Sequence, residues 1–577
     1  MFSKIISFLN LLDKKDKNFF FSIYLLIVFG ALLEIFCIFL IYILFNYLLN
    51  LRSFELTQIF QLDLFNNFFK IEFVNKFNFL ILFLIILYLL KFFYFQMMHN
   101  FQFSFVNSLR FKFINKLNSY YINSEYSFFL KNDYIRLIRN VQTEVDILTI
   151  GFLQTVLIVL TELTILIFFI IFLFLNQPII TSFVIFLLGI AGLIYFFFLK
   201  KKIAELGRAR QIHQTFFLKD IIDIYKGIKD IKLSNSENFF LNKVKNTSLI
   251  FTKNTATISL LQLLPKLSLE FFIITLMLII LLFQNIFFGS NNIAILSSLG
   301  LFGLASFKIL PSISKILTSI QSLQYHSPSL KVLYPELSKA QRAINIYKNL
   351  HSGFIFDKEI EYKNVSYRYS NNSRIILKNV NLKITKNSCV GIIGESGSGK
   401  STFVNLFSGL TNPTAGQIRI DGLDLKQIKR EWLDLISYVP QKVYLLDESL
   451  SSNIAFGKYK NEIDNINLDK AIKLSKLEKF NKFRKSGLKL GNDGKNISGG
   501  QAQRVGIARM FYRKTNVLIF DEATNALDFK TETNILNIIK KMLHKKTIIM
   551  ISHKLKNLSF CDVIYKIENG KVKKIKK

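Results

Sequence analysis

A glycine-rich loop is the stretch of this sequence whose residue types point most directly to chemistry. It consists of Gly394, Glu395, Ser396, Gly397, Ser398, Gly399, Lys400, Ser401 and Thr402. An apolar run precedes it and apolar residues at helical spacing follow it, which predicts a strand–loop–helix unit. In such a loop backbone N–H groups wrap a triphosphate, and the helix N-terminus favours the negative charge. We expect Lys400 to reach the β- and γ-phosphates and the Ser401 hydroxyl to bind Mg²⁺, the alternative being a chance glycine-rich turn.

Composition places this loop in a chain with two different halves. The chain has 577 residues, of which 51% are hydrophobic and 61 are Phe. Such a length predicts more than one domain. The first 320 or so residues contain apolar runs long enough to cross a bilayer, which takes about 20 residues each. The remaining residues are mixed in character, so we expect a membrane half followed by a soluble half.

The net charge of +35 is distributed as in a membrane protein. No Lys or Arg lies in the short connections 176–178 and 284–293, whereas twelve lie between Lys200 and Lys253. This asymmetry predicts that the long connections and both termini are cytoplasmic. An anionic membrane surface is the expected electrostatic partner, and nucleic-acid binding is disfavoured.

We predict six membrane spans, with the helices continuing well beyond the bilayer through the polar connections 101–148 and 200–255. Tips near 124–135 and 220–231 are candidates for docking on the soluble half. The predicted spans are 19–49, 78–100, 149–175, 178–199, 256–283 and 293–322.

The soluble half contains further residues suited to nucleotide chemistry. Tyr369 is placed to stack on adenine, and Gln441 follows a strand, where its amide could sense the γ-phosphate and Mg²⁺. An apolar strand ends in Asp521 and Glu522, which we expect to hold Mg²⁺ and to polarise the attacking water, respectively. A second phosphate-directed helix N-terminus is formed by Ser498, Gly499, Gly500 and Gln501.

The motifs of the soluble half, taken in chain order, resemble those of the ATP-binding-cassette family. They are the glycine loop, Gln441, the 498–501 segment, Asp521-Glu522, the run 525–528 and His553. Six spans before one cassette resemble its exporter-type half-transporters. The resemblance implies ATP and Mg²⁺ as ligands, a catalytic role for His553 beside Glu522 and Gln441, and a homodimer. In that dimer the 498–501 segment completes the ATP site of the second subunit. Two positions depart from the family pattern, Asn525 (usually Ser) and Asn492 (usually Glu in exporters).

The predicted fold class is therefore multidomain. An all-α six-helix transmembrane domain (1–322) and a linker (323–357) precede an α/β P-loop ATPase, the ATP-binding cassette, at 358–577. The expected location is a bacterial inner membrane, which the chain crosses several times.

A narrower resemblance concerns the substrate. Four segments are similar to bacterial flippases for the lipid-linked oligosaccharides of protein N-glycosylation. They are 12–20 (LDKKDKNFF), 308–315 (KILPSISK), 325–327 and the loop 491–494. The resemblance implies ATP-driven translocation of a polyprenyl-pyrophosphate glycan. Exporters of lipid A, peptides or drugs are the alternative within transporters. A membrane-tethered regulatory ATPase is the alternative from another class.

Three lysines, Lys91, Lys266 and Lys308, interrupt predicted spans at similar depth. A lysine at the centre of a span costs roughly 2.5–3.5 kcal/mol on insertion, so these three suggest a polar cavity for a lipid pyrophosphate. The alternative is that each lysine extends to the membrane interface. The span carboxylates Glu34, Glu162 and Glu270 are expected to form hydrogen bonds between helices. The alternatives are that they pair with these lysines or mark the transport path.

Two further expectations concern the long first loop and the cysteines. The loop 51–77 has helical spacing of apolar residues and is expected to lie on the outer membrane surface, meeting the lipid tail of the substrate or capping the helix bundle. Cys37, Cys389 and Cys561 are far apart in sequence and are assigned no metal or redox role.

Overall fold

In the computed structural model the chain forms two compact units. The first unit comprises Met1–Ser124 and Lys131–Lys348, and the second comprises Glu125–Leu130 and Asn349–Lys577. The short segment Glu125–Leu130, part of a predicted docking tip, thus groups with the second unit. The structure describes residues 2–48, 73–176, 178–288, 292–343, 354–369, 374–480, 488–491 and 494–575.

In its described residues, the regular elements of the first unit are helices. Two π-helical segments, Asn140–Glu144 and Ile147–Leu153, lie between α5 and α6, and such segments occur frequently at functional positions. In chain order the helices of this unit are α1 Phe2–Leu9, α2 Lys14–Leu48, α3 Phe73–Ile122, α5 Tyr134–Arg139, α6 Gln154–Asn176, α7 Pro178–Lys226, α8 Ile228–Leu233, α9 Glu237–Phe288 and α10 Asn292–Ala343. Helix α4, Tyr126–Lys131, lies almost wholly in the segment that groups with the second unit.

Four of these helices are far longer than a membrane span. Helices α3, α7, α9 and α10 have 50, 49, 52 and 52 residues. At 1.5 Å per residue each is about 75 Å long, whereas a bilayer core is about 30 Å thick. Helices α3, α7 and α9 reach well into the polar connections 101–148 and 200–255. Helix α10 also runs without a break into the predicted linker 323–357, so the first unit extends beyond residue 322.

By length and composition, three segments of the described residues could cross a membrane, namely Lys14–Leu44, Leu80–Ile122 and Tyr134–Leu175. They overlap the first three predicted spans. The other three predicted spans lie in α7, α9 and α10, whose side chains are described only in part. The predicted surface helix in loop 51–77 falls mainly on residues 51–72, which lie outside the described part of the chain.

The second unit contains two sheets. An antiparallel sheet has the order β2-β1-β4-β5, with β1 Glu359–Tyr367, β2 Leu377–Thr385, β4 Ala415–Ile420 and β5 Leu423–Asp424. A second sheet has the order β10-β9-β3-β8-β7-β6, and its strands are β3 Cys389–Gly394, β6 Ile436–Val439, β7 Val517–Asp521, β8 Thr547–Ile551, β9 Val563–Glu568 and β10 Lys571–Ile575. All its neighbours are parallel except β9 and β10.

The parallel strands form the centre of the second unit because their sequences are apolar on both faces. All residues of β7 and β8 are buried, as expected for a sheet covered on each side. Register pairs Ile519 with Ile549 and Ile549 with Val390 through their neighbouring strands. The carboxyl ends of β3, β6, β7 and β8 therefore meet at one edge, where ligands bind in open α/β sheets.

Helices and 3₁₀ turns complete the second unit. Its α-helices beyond α4 are α11 Lys400–Phe407, α12 Lys429–Leu435, α13 Leu450–Ile454, α14 Asn465–Leu474, α15 Gly499–Arg513 and α16 Phe529–Lys540. The 3₁₀ turns are Lys460–Glu462, Glu478–Phe480 and Leu555–Leu558.

Candidate active site at the carboxyl edge of the parallel sheet

The glycine loop joins β3 to α11 and adopts a conformation that depends on glycine. Gly397 and Gly399 have φ values of +78° and +110°, in the region that other residues rarely adopt. Gly394 is also constrained, since an added Cβ would lie 2.6 Å from the carbonyl oxygen of Ile567. The sequence pattern thus produces the strand–loop–helix unit that was predicted, with Lys400 as the first residue of α11.

Lys400 extends back over this loop. Its Nζ donates hydrogen bonds to the carbonyl oxygens of Gly394, at 2.7 Å, and Glu395, at 2.9 Å. Burial lowers the pKa of Lys400, while the carboxylates of Glu522 and Asp521 act in the opposite direction. A cation held between the loop and two carboxylates is suited to an anionic ligand that carries a divalent metal ion.

Ser398 supplies an independent indication that the loop fits a phosphate chain. Its Oγ is buried and has no hydrogen-bond partner among the described residues. A buried hydroxyl without a partner costs free energy, and a phosphate oxygen would accept its hydrogen bond. Together with Lys400 and the positive-φ backbone of Gly397 and Gly399, this hydroxyl is suited to bind a triphosphate.

Asp521 ends β7 at the same edge. The hydroxyl of Tyr438 donates to its Oδ2 at 3.0 Å, and burial raises the pKa of the Asp521 carboxyl. A desolvated carboxylate beside Lys400 is the type of ligand that Mg²⁺ prefers. Tyr438 was not predicted as a site residue, although it lies three residues before Gln441.

Glu522 is the point at which the predicted catalytic residues converge. Its carboxylate is buried and accepts hydrogen bonds from Gln441 Nε2, at 2.9 Å, and from Asn525 Nδ2, also at 2.9 Å. His553 Nε2 lies 2.5 Å from the other carboxylate oxygen. The backbone of Glu522 has φ +50°, a conformation that non-glycine residues adopt rarely and often at functional sites. Three strand ends thus hold one carboxylate.

Gln503, which the sequence analysis did not identify, connects the loops around this carboxylate. Its Nε2 donates to the backbone oxygens of Gln441, at 3.3 Å, and Glu522, at 3.5 Å. Its Oε1 accepts from the backbone N–H of Ala526 at 3.1 Å. The signal available in sequence was only its position in α15, two residues after Gln501.

Tyr369 lies beside the loop but keeps an exposed ring. Its hydroxyl is 3.0 Å from Thr402 Oγ1, and 42% of the residue is exposed. An exposed aromatic face next to the phosphate loop is compatible with the predicted stacking on adenine.

The 498–501 segment starts α15 but makes no described hydrogen bond to the glycine loop. Ser498 Oγ accepts from the N–H of Gln501, whose side chain accepts from the N–H of Ser498, forming a capping box. Gly500 must lack a side chain, because a Cβ there would lie 2.7 Å from the carbonyl oxygen of Ala526. Gly499 faces open space. The helix N-terminus is thus well formed, with Gly499 available to a ligand.

The three membrane-unit lysines have different surroundings. Lys91 Nζ lies 3.0 Å from Glu34 Oε1, and the Glu34 side chain is only 3% exposed. Lys266 is exposed, and for residue 308 the description covers the backbone only. Of the span carboxylates, Glu162 pairs with Lys315 at 2.8 Å, a partner that the sequence analysis did not name. Asn492 lies outside the described residues.

Comparisons with known proteins agree with this geometry. Residues 377–525 match the family model described as ABC transporter. Over 217 residues the chain is 37% identical to a putative export ATP-binding/permease protein of Rickettsia typhi, covering 37% of each chain. It is 38% identical over 218 residues to the alpha-hemolysin translocation ATP-binding protein of Escherichia coli, covering 37% of this chain and 30% of that protein. It is 36% identical to the ATP-dependent lipid A-core flippase of Wigglesworthia glossinidia brevipalpis, covering 37% of each.

The matched part of the chain thus spans 30–37% of these relatives' length. A solved bacterial Atm1-family ABC exporter with ATP bound is similar over 97% of this chain and 95% of that chain, with a TM-score of 0.73 and 18% identity. At this identity the likeness shows the fold. The predicted fold class is confirmed: the chain has the fold of an ABC exporter, in which a helical unit is fused to an ATPase domain of the ABC transporter type.

Proposed function

We propose that this chain is one subunit of an ATP-driven exporter of the inner membrane, which acts as a homodimer. The observation that carries the proposal is the convergence of Gln441, Asn525 and His553 on Glu522, beside Lys400 and Asp521. Glu522 is the general base that polarises the attacking water, and its three polar partners orient it. Lys400 and the N–H groups of the glycine loop bind the phosphates.

Asp521 and Ser401 are the residues that would hold Mg²⁺, which neutralises phosphate charge when bound. Gln441 is suited to join the metal to the base. Its amide nitrogen donates to the Glu522 carboxylate, so the ligand atom that remains is its amide oxygen. Tyr369 stacks on the adenine. These roles explain why four strand ends carry polar residues at one edge.

The 498–501 segment acts on the ATP of the second subunit. This assignment follows the family resemblance, and it is supported by the accessible N-terminus of α15 and by the absence of a described hydrogen bond from these residues to their own glycine loop. Mixing Lys400→Ala subunits with Ser498→Arg subunits tests it, because each heterodimer then contains one intact composite site. We expect ATPase activity from the mixture and none from either variant alone. If verified heterodimers are inactive, the proposal that one intact composite site is enough for ATP hydrolysis is contradicted.

For the substrate we propose a lipid-linked oligosaccharide, whose pyrophosphate is attracted by basic residues of the membrane unit. Lys266 is exposed and so accessible to a substrate, whereas Lys91 is held by Glu34. A second candidate is a lipid A-type glycolipid, favoured by the similarity to the lipid A-core flippase. Both carry phosphate groups on a lipid, so the same lysines serve either one.

Reconstitution in vesicles distinguishes these substrates. Vesicles contain the purified protein with a polyprenyl-pyrophosphate oligosaccharide, with lipid A, or with neither, and both ATPase activity and translocation are measured. We expect the first lipid to stimulate ATPase and to move across the bilayer only with ATP. Stimulation by lipid A alone selects the second candidate. ATPase activity with no movement of either lipid supports a regulatory ATPase.

A further inference from the structure

Two cysteines that are 172 residues apart in sequence lie side by side in the second unit. The Sγ atoms of Cys389 and Cys561 are 3.2 Å apart, and the two residues are only 1% and 0% exposed. Neither is in a disulfide. No redox role was predicted for them, because they are far apart in sequence. Their spacing does not show that β3 and the segment before β9 become neighbours in the fold.

The sheet fixes this proximity. The N–H of Cys389 donates to Asp562 Oδ2 at 2.8 Å, and the N–H of Asp562 donates to the carbonyl oxygen of Cys389 at 2.8 Å. One residue further on, Val390 pairs with Val563 as β3 and β9 begin their parallel register. The two thiols therefore stay adjacent for as long as β3 and β9 are paired, and only a small side-chain movement separates them from bonding distance.

The pair lies at the end of the sheet that is opposite the candidate active site. Cys389 is the first residue of β3, whereas the glycine loop begins at its last residue, Gly394. At about 3.3 Å per residue the two ends of this strand are roughly 16 Å apart. The surrounding side chains are apolar, among them Leu558, Ile548 and Ile564. A bond between the sulfurs therefore leaves the geometry around Lys400 and Glu522 unchanged.

We propose that Cys389 and Cys561 are an oxidisable dithiol, and that a peroxide converts them to a disulfide that staples the ATPase unit. One thiol loses its proton, and its thiolate sulfur attacks an oxygen of hydrogen peroxide, so that an S–O bond forms and the O–O bond breaks. This gives a sulfenic acid, and the departing hydroxide takes up the thiol proton as water. The second sulfur then attacks the sulfenic sulfur, so that the S–S bond forms and the S–O bond breaks. The hydroxide leaves as water with the second thiol's proton. Two thiols are oxidised by two electrons, and one peroxide is reduced to two waters.

The staple has a defined physical consequence. It closes a loop that contains the glycine loop, the 498–501 segment and Asp521-Glu522, and a long closed loop restricts the unfolded chain strongly. A reducing cytoplasm keeps the pair as thiols, so the bond forms only when an oxidant is present. The dithiol thus protects the ATPase unit from unfolding during oxidant exposure. This inference rests on the sheet geometry and is independent of the proposed export function.

The experiment uses the full-length protein in detergent, exposed to hydrogen peroxide, quenched with catalase, denatured and alkylated. Peptide mass spectrometry then searches for a cross-link between the Cys389 and Cys561 peptides. Cys561→Ser is the test variant, and Cys37→Ser, which removes the cysteine of the first unit, is its matched control. We expect the cross-link in the wild type and in Cys37→Ser, its absence in Cys561→Ser, and its loss on reduction.

The second readout is stability. The oxidised wild type should unfold at a Tm higher by about 5 °C, reversibly on reduction, with ATPase activity within about twofold of the reduced protein. If peroxide yields sulfinic acids without a cross-link, the dithiol assignment is wrong. A cross-link that leaves Tm unchanged, or abolishes ATPase activity, overturns the stapling role. Because the cross-link is read in the wild type, the result stands even if Cys561→Ser fails to fold.

Discussion

Two buried glutamates, one in each unit, show how the same side chain serves different ends. Glu522 in the second unit is held by Gln441, Asn525 and His553 at 2.5–2.9 Å. Glu144 in the first unit is fully buried. It accepts from Gln211 at 3.1 Å and lies near two guanidiniums, those of Arg139 and Arg210.

The difference lies in the partners. Glu144 is paired with two permanent cations at 3.6 and 3.9 Å, on helical segments that are far apart in sequence. Its charge is balanced and its removal leaves two buried cations. The donors around Glu522 are two amides and an imidazole, at a strand edge beside Lys400. We infer that Glu144 maintains the fold of the first unit and that Glu522 performs chemistry.

The largest expected effect on stability is that of Glu144→Gln. The change removes the carboxylate that both buried arginines, Arg139 and Arg210, approach, and breaking a buried ion pair in this way costs about 3 kcal/mol or more. Thermal unfolding in detergent should show a markedly lower Tm for the first unit. Glu205→Gln, an exposed carboxylate on the same helix as Arg210, is the matched control and should leave Tm unchanged. If Glu144→Gln and Glu205→Gln have the same Tm, the proposed structural role of Glu144 is contradicted.

A smaller effect is expected for Lys91→Gln, which leaves Glu34 buried without its cation. Loss of one partner of this pair should cost about 2 kcal/mol, because a buried carboxylate loses its cation. The double variant with Glu34→Gln removes both charges and should recover most of the Tm. Translocation by the double variant then separates the two roles of Lys91. Recovered translocation assigns Lys91 to pairing, and recovered stability without translocation assigns it to the substrate.

Asp521→Asn should raise stability modestly while abolishing Mg²⁺-dependent ATPase activity. Burial raises the pKa of Asp521, so its charged form destabilises the folded state at neutral pH. The advantage of Asn should be greatest near pH 7 and should be lost as the pH falls through the raised pKa, because Asp521 itself becomes neutral there. Chemical denaturation from pH 7 to pH 4 measures it, with exposed Asp434→Asn as control. If the stability difference between Asp521→Asn and the wild type grows as the pH falls, the predicted pH dependence is wrong.

The smallest effect is expected for Asn525→Ser, which restores the residue usual in the family. Asn525 supplies one of three partners to the Glu522 carboxylate, and a serine hydroxyl can replace part of that hydrogen bond. We expect kcat to change by about threefold or less, with unchanged Tm. A loss of a hundredfold or more would make Asn525 essential to the base.

The same contrast explains what could be predicted from the sequence. Lys400, Asp521 and Glu522 each follow an apolar strand, and parallel strands bring their carboxyl ends together, so the candidate site could be assembled from local patterns. The helical unit was predicted from apolar runs, and its long extensions from the polar connections.

Contacts between distant segments could not be predicted. Glu144 meets Arg210, and Cys389 meets Cys561, only through packing that sequence spacing does not record. Gln503 was missed because its role comes from reaching three backbone groups at once. The pairing of Lys91 with Glu34 was one of the alternatives left open, because positions along separate spans do not show which side chains face each other.

The central claim is that Glu522 is the base for ATP hydrolysis, and ATPase turnover of the purified Glu522→Gln protein tests it most directly. Glu568→Gln, an exposed carboxylate at the end of β9, is the matched control. We predict that Glu522→Gln binds ATP with wild-type affinity and an unchanged Tm, while kcat falls by about a hundredfold or more because the water loses its base. Glu568→Gln should hydrolyse ATP normally. Hydrolysis by Glu522→Gln at the rate of the Glu568→Gln control would contradict the account.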